Sequence, residues 1–176
     1  AHLIARIVRF DFPVEWPSVF EEIAHSLEDS TFKQGDMTAT NNLLIILNQV
    51  IKAVSIVRVG RARHALQSKV PTTTPVLIRL YLKFFQQWTS VTMDLGITEI
   101  CYLCLKNLRR IITSGYEQPQ KDADATEFLN VSISHLKSLV VVQEKYSSLD
   151  MLERYVTCFG YFEGELINVN PTNTAK

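Results

Sequence analysis

Apolar residues recur at steps of three and four positions along almost the entire chain, in about seven segments separated by polar, proline or glycine residues. This is the period of an α-helix with one buried face. The nearest rival is the largely β-branched run Leu139–Val142, but it lies inside a longer helical pattern, so its length favours a helix. Successive helices would form antiparallel pairs that recur about every 45 residues. The chain is therefore predicted to be an all-α solenoid in which each pair packs on the next.

The first three predicted helices are bounded by the residues that interrupt their apolar stripes. A stripe that begins at Leu3 has no capping residue before it, so the chain is expected to start inside a helix, as a fragment of a larger protein would. A break at Asp11–Pro13 precedes the second helix. The third is predicted from about Thr38 to Val59, with Gly60 as its stop. The second helix is expected to hold Pro13 and Pro17 near its first turn and a stripe of Trp16, Val19, Phe20, Ile23 and Leu27.

The later helices are predicted in the same way. The segment Pro71–Pro75 looks like a turn-rich joint, in which Thr74 would cap a helix that opens with Pro75 and carries an apolar stripe that includes Trp88. The next helix is predicted from about Asp94 to Ser114, with Gly115 as its stop. After a polar linker from Glu117 to Asp124, one helix is expected to carry Phe128, Leu129, Leu136, Leu139 and Val140, and a last one, after Ser147, Met151, Leu152, Tyr155, Val156, Phe159 and Phe162.

The two tryptophans are predicted to be buried anchors of their helices. Trp16 and Trp88 both fall on apolar stripes, and large aromatic side chains dominate the energetics of cores. The stripe that leads to Trp88 is interpreted as core rather than as a ligand groove; its other members are Tyr81, Phe84 and Phe85.

Composition excludes several classes of protein. The chain contains no run of about 18 apolar residues and no basic segment followed by an apolar stretch at its start, so a soluble and unsecreted protein without membrane insertion is expected. Its three cysteines are an odd and sparse set, which favours a reducing compartment and free thiols.

No residue pattern predicts a catalytic, metal or cofactor site. Cys101 and Cys104 form a C-x-x-C motif in mid-helix, without the second ligand pair of a zinc site or the helix amino terminus of a redox site, so buried packing is favoured. The four histidines are scattered, and glycine-rich phosphate loops and nucleophile motifs are absent from the sequence.

Charge is distributed unevenly although the net charge is zero. Residues 1–36 hold three Lys/Arg and seven Asp/Glu, residues 37–93 hold seven and none, and residues 94–176 hold eight and eleven. The cationic middle third points to an acidic partner, although a solvated helix face beside acidic neighbours would show the same bias.

Two groups of cations are the candidate partner-binding residues. If the third and fifth helices are the second helices of their pairs, both groups emerge at the same end of adjacent repeats. The alternative is that they are cations placed at helix carboxyl termini, where each stabilises the helix by about 0.3 to 1 kcal/mol. A nucleic-acid surface is disfavoured because the nearby aromatic residues fall in the helix stripes. The candidates are Arg58, Arg61 and Arg63, with His64 and Lys69 nearby, and Lys106, Arg109 and Arg110.

Three segments carry a resemblance to a known family. The segment Ile4–Phe20, with an apolar helix end, an acidic residue, a proline and then W-P, resembles the third-repeat signature of importin-β superfamily nuclear transport receptors. The segment Leu43–Arg63 is similar to the helix that follows and its basic end; Ala62 departs from the acidic residue common there. Leu105–Pro119 is similar to the importin-eleven branch in particular.

The resemblance implies that residues 1–176 form a single segment of HEAT repeats, about three helix pairs plus a leading partial helix, from the amino-terminal region of such a receptor. It implies a protein that shuttles between cytoplasm and nucleus through nuclear pores. The second helices, near 38–59 and 94–114, would line a concave face for GTP-bound Ran and import cargo. The first helices would face outward, towards phenylalanine-glycine repeats of pore proteins.

Two other functional classes stay open at this point. A HEAT scaffold that assembles another complex would share the fold and differ in its ligand. A helical enzyme would require a polar pocket.

Overall fold

A computed structural model describes residues 1–56, 60–90 and 94–142. Within these ranges the chain is helical and contains no strand. The run Leu139–Val142 lies in a helix, as its context predicted. The last predicted helix, after Ser147, lies outside the described residues. The α-helices are α1 (His2–Asp11), α2 (Val19–Glu28), α3 (Met37–Ile56), α4 (Gly60–Ser90), α5 (Leu95–Gly115) and α6 (Ala123–Val142), with a π-helical turn at Asp29–Gln34 and a 3-10 turn at Pro119–Lys121.

The chain divides into two compact units, Ala1–Glu117 and Gln118–Lys176. In the first unit, α1, α3 and α5 lie side by side in one layer, and α2 and α4 form a second layer. Each helix of the second layer packs on the helix that follows it in the chain. This is the arrangement expected for stacked helix pairs. In the second unit, α6 packs against the 3-10 turn.

The π-helical turn after α2 ends at a position whose backbone conformation favours glycine. Gly35 has φ 66°, in the left-handed region that side chains disfavour. The chain then turns into α3, where the Asp36 carboxylate accepts the amide of Ala39 at 2.9 Å and caps the helix. Three buried hydroxyl groups connect the turn to α3 by hydrogen bonds. Thr40 Oγ1 lies 3.2 Å from Ser30 Oγ and 3.0 Å from Thr31 Oγ1.

The predicted joint at Pro71–Pro75 is wrong, because α4 runs through it without a break. The two prolines lack amides, so the carbonyls of Gln67 and Pro71 lose their usual helical donors. Packing compensates for this loss, since one face of α4 stays buried across the segment. The buried face includes Leu66, Val70, Thr73, Thr74, Leu77 and Leu80.

Several predicted boundaries also need correction. Gly60 opens α4 rather than closing α3. The second helix begins only at Val19, so Pro13 and Pro17 precede it, and Trp16 lies in the turn before it, half-buried. The Trp16 indole donates to the Glu22 carboxylate at 3.2 Å instead of filling the core. Phe12 and Phe20 occupy the core there, with ring centroids 5.4 Å apart.

The carboxyl end of α5 approaches α4 closely enough to require glycine. A Cβ on Gly115 would overlap a methyl group of Val70, and Val70 is buried. Because Val70 lies in the first half of α4, this contact shows that α4 and α5 are antiparallel.

Gly115→Ala is therefore expected to lower the free energy of unfolding by about 1 to 3 kcal/mol, since inserting a methyl group into a packed core forces side chains or backbone to move. Urea denaturation of the two forms measures the difference. The double variant Gly115→Ala/Val70→Ala should lose less stability than the sum of the two single changes. Additive losses would show that the two positions do not press on each other.

Candidate protein-interaction surface

The structure places α3 and α5 side by side and parallel in the α1–α3–α5 layer, as the prediction of a shared surface requires. The Asn107 amide donates to the Leu44 carbonyl at 3.0 Å, and Arg110 donates to the Asn48 carbonyl at 3.2 Å. Later residues of α5 thus meet later residues of α3.

The structure describes the side chains of three of the six candidate cations. Lys106, Arg109 and Arg110 are half-buried on α5. Lys106 Nζ lies 5.4 Å from the centroid of the Tyr102 ring, a cation–π distance. Burial lowers the pKa of the Arg110 guanidinium, and the neighbouring charge of Arg109 lowers it further. Because Arg110 also binds α3, part of its role is structural.

The other three candidates are only partly accounted for. Arg58 lies outside the described residues, and Arg61 and Arg63 lie in α4, with side chains that are not described. The structure therefore brings together Lys106, Arg109 and Arg110 and does not establish where the other three guanidinium groups lie.

Helix-end stabilisation does not explain the described candidates. The favourable effect of a cation is confined to the last helical turn. The last turn of α5 contains no basic residue, since even Arg110 lies five positions before Gly115. Arg61 and Arg63 lie near the amino end of α4, where the helix dipole disfavours cations.

The cationic bias of residues 37–93 has a partly internal explanation. Lys69 Nζ lies 2.5 Å from Glu21 Oε1, and Arg79 pairs with Glu28, so two cations of α4 face carboxylates of α2. Lys83 donates to the Thr31 carbonyl at 2.8 Å. The sequence alone favoured an external acidic partner for this segment. For Lys69 and Arg79, the structure supports the alternative of acidic neighbours in the same chain.

A buried pair of asparagines joins α3 to α5, and the sequence analysis did not identify it. Asn48 Nδ2 donates to Asn107 Oδ1 at 3.1 Å, and the two residues are 3% and 0% exposed. Both interrupt apolar stripes at helical spacing, Asn48 between Leu44 and Ile51. A polar residue at such a position is the signal that could have located the pair, since buried amides require partners.

A groove of about 610 Å³ lies between α2 and α4, which form the second layer of the first unit. Ala24 and Val76 contribute buried apolar surface, and Glu21 and Glu28 contribute carboxylates. Its acidic edge is therefore formed partly by the same ion pairs that connect the two helices.

The candidate cysteines are packing residues. Cys101 and Cys104 are free thiols that are fully buried, as predicted. Burial raises the pKa of the Cys104 thiol well above its usual value, which keeps it protonated and unreactive. No cluster of three metal-ligating side chains occurs in the described part of the chain. Among those same residues, no helix is long and apolar enough to cross a membrane.

Comparison with known proteins identifies the family. The chain is 38% identical to the importin beta-like protein KAP120 of Saccharomyces cerevisiae over 177 aligned residues, which cover 98% of this chain. The chain belongs to the importin-β-like family. It is also 26% identical to the importin beta-like protein kap113 of Schizosaccharomyces pombe over 80% of its length. No family model matches.

A solved structure supports the same assignment of this importin-β-like chain. The structure of Lph2, described as a bidirectional nuclear transport receptor in S. cerevisiae, aligns with 95% of the chain at a TM-score of 0.85 and 38% identity. The predicted all-α solenoid of HEAT-type helix pairs is thereby confirmed. The chain spans 17% and 15% of the lengths of the two curated relatives and 16% of the solved one. The importin-eleven branch stays a prediction.

Proposed function

We propose that this importin-β-like chain is a segment of a nuclear transport receptor that shuttles between cytoplasm and nucleus. The observation that carries the proposal is the match, at 38% identity and a TM-score of 0.85, to a protein described as a nuclear transport receptor. The relatives carry the names of importin-like proteins rather than of enzymes.

The α1–α3–α5 layer is the proposed binding face for GTP-bound Ran and cargo. Lys106 and Arg109 are half-buried cations of α5 that lie before its last turn, and they supply positive charge to this layer. Arg58, Arg61 and Arg63 are proposed to extend this charge at the adjoining ends of α3 and α4. An acidic partner would be attracted over a distance of about 8 to 10 Å in physiological salt, which affects the rate of encounter more than the final affinity.

The α2–α4 groove is the proposed contact for phenylalanine-glycine repeats of pore proteins. Ala24 and Val76 give it an apolar component, and its volume of about 610 Å³ exceeds that of a single aromatic side chain. The two proposed contacts thus lie on different layers of the same helix pairs.

Charge reversal on α5 tests the proposed binding face. In the full-length protein, Lys106→Glu/Arg109→Glu should slow association with Ran locked in its GTP form, or with an acidic cargo, by about 3- to 10-fold at low salt. The salt dependence of the association rate should also flatten. Arg58→Glu/Arg63→Glu should act in the same direction. Arg110 is left unchanged because it hydrogen-bonds to α3.

Lys33→Glu is the control, because Lys33 is an exposed cation that pairs with Asp29 and follows α2 rather than lying on α5. It should leave the association rate near that of the wild type once the net charge change is allowed for. Equal slowing by Lys33→Glu would contradict a defined binding face. Retained binding of other proteins with no binding of Ran would instead favour the scaffold function.

A further inference from the structure

The two layers of the first unit are connected by different kinds of interaction. Between α3 and α5 two polar contacts are buried, since Asn48 donates to Asn107 and Asn107 donates to the Leu44 carbonyl, and a third, from Arg110 to the Asn48 carbonyl, is partly buried. Between α2 and α4 the polar contacts are ion pairs with water access: side chains of Lys69 and Glu21 are 22% and 37% exposed. Those of Arg79 and Glu28 are 59% and 36% exposed.

These two kinds of connection differ in how readily they open. Breaking the asparagine pair would leave amide groups unpaired in the core, and each unsatisfied group opposes opening strongly. An exposed ion pair exchanges its partner for water and ions at little cost. The α3–α5 contact is also the more extensive of the two. The contact between α2 and α4 is therefore expected to open more readily than the contact between α3 and α5.

The ion pair between Glu21 and Lys69 uses only one of the two carboxylate oxygens of Glu21. Glu21 Oε1 accepts from Lys69, whereas Glu21 Oε2 is buried and has no hydrogen-bond partner among the described residues. Opening would hydrate this oxygen, which offsets part of the loss of the ion pair. Glu21 and Glu28 both line the groove, so separating them from α4 would widen it.

We propose that these stacked repeats flex about a hinge formed by the Asn48–Asn107 contact, while the Glu21–Lys69 and Glu28–Arg79 pairs latch the α2–α4 groove. The Lys83 bond to the Thr31 carbonyl lies outside the groove lining and holds the π-helical turn to α4. Salt, or a partner that competes for either carboxylate, opens the groove without separating α3 from α5.

The test measures how fast a thiol reagent reaches the groove in the 176-residue chain. Val76→Cys places a thiol at a buried position of the groove lining. Labelling of each cysteine is followed separately by mass spectrometry of its peptide. The native Cys101 and Cys104 are fully buried in α5 and report general loosening.

Glu28→Gln should raise the labelling rate at position 76 by about two- to five-fold, and Glu21→Gln should do the same, as expected for loss of one partly exposed ion pair. High salt should also raise the labelling rate at position 76 when Glu21 and Glu28 are both unchanged. Asp29→Asn is the matched control: it removes the same charge at the adjacent residue, but Asp29 pairs with His25 and Lys33 of its own segment and not with α4. It should leave the rate unchanged.

The hinge is followed by the exchange of the side-chain amide protons of Asn48 and Asn107, observed by NMR. Their protection should be the same in Glu28→Gln as in the wild type. The proposal fails if Glu28→Gln accelerates labelling no more than Asp29→Asn does. It also fails if the rates at Cys101 and Cys104 rise by the same factor, or if the asparagine protons lose protection together with the groove.

Discussion

Trp88→Ala is expected to lower the free energy of unfolding by about 3 to 5 kcal/mol, the range found when a core tryptophan is truncated. Trp88 is 9% exposed, and its ring lies 5.8 Å from that of Phe85, which in turn lies 5.6 Å from that of Tyr81. Removing the indole leaves a cavity at the end of this aromatic row. A loss of this size is comparable with the whole stability of many domains.

Trp16→Ala is the matched control, because the same side chain is removed from a half-buried turn. It removes the hydrogen bond to Glu22 and part of the apolar contact, so the expected loss is smaller, about 1 kcal/mol. Urea denaturation of both variants gives the comparison, provided that the slope with denaturant is unchanged. Equal losses would mean that Trp88 is no more important to the core than Trp16.

Asn107→Ala is expected to lower the free energy of unfolding by about 2 to 4 kcal/mol. The change removes the donor to the Leu44 carbonyl and the acceptor of the Asn48 amide, and Asn48 is then left buried without that partner. An unsatisfied buried group contributes its full desolvation penalty, and the lost volume adds to it. Denaturation in urea, monitored by circular dichroism, provides the measurement.

Two further variants make this result specific. Asn42→Ala, at an exposed position of α3, should change stability by less than about 0.5 kcal/mol. The double variant Asn48→Ala/Asn107→Ala should lose less than the sum of the single changes, because the second substitution removes the orphaned partner. Strict additivity would indicate that the two amides do not depend on each other in the folded state.

The sequence alone predicted the class of the fold and most of its helices. Apolar periodicity located α3 and α5 to within a few residues of their observed bounds, since burial of a helix face is a local property repeated along the segment. It failed at Pro71–Pro75, where proline is usually a boundary signal. There the packing of α4 against α2 and α5 outweighed the local preference.

The sequence predicted which residues form a cationic group, but it did not predict which cations pair with carboxylates of the same chain. Sequence identified Lys106, Arg109 and Arg110 as a cationic group on one helix, and the resemblance pointed to a transport receptor. Counting charges could not show that Lys69 and Arg79 would be paired with Glu21 and Glu28, because the partners are about 50 residues apart in the chain.

The sequence by itself determined an all-α chain, its helix faces and its family, because these depend on spacing within one segment and on the residues of one motif. Only the tertiary structure decided which cations of α4 pair with carboxylates of α2, where the asparagine pair connects α3 to α5, and that the ion pairs between α2 and α4 are partly exposed. Each of these is a contact between helices distant in sequence. Such contacts are set by how the layers stack, since burial determines whether the same charge or amide is paired within the chain or left for solvent and partners.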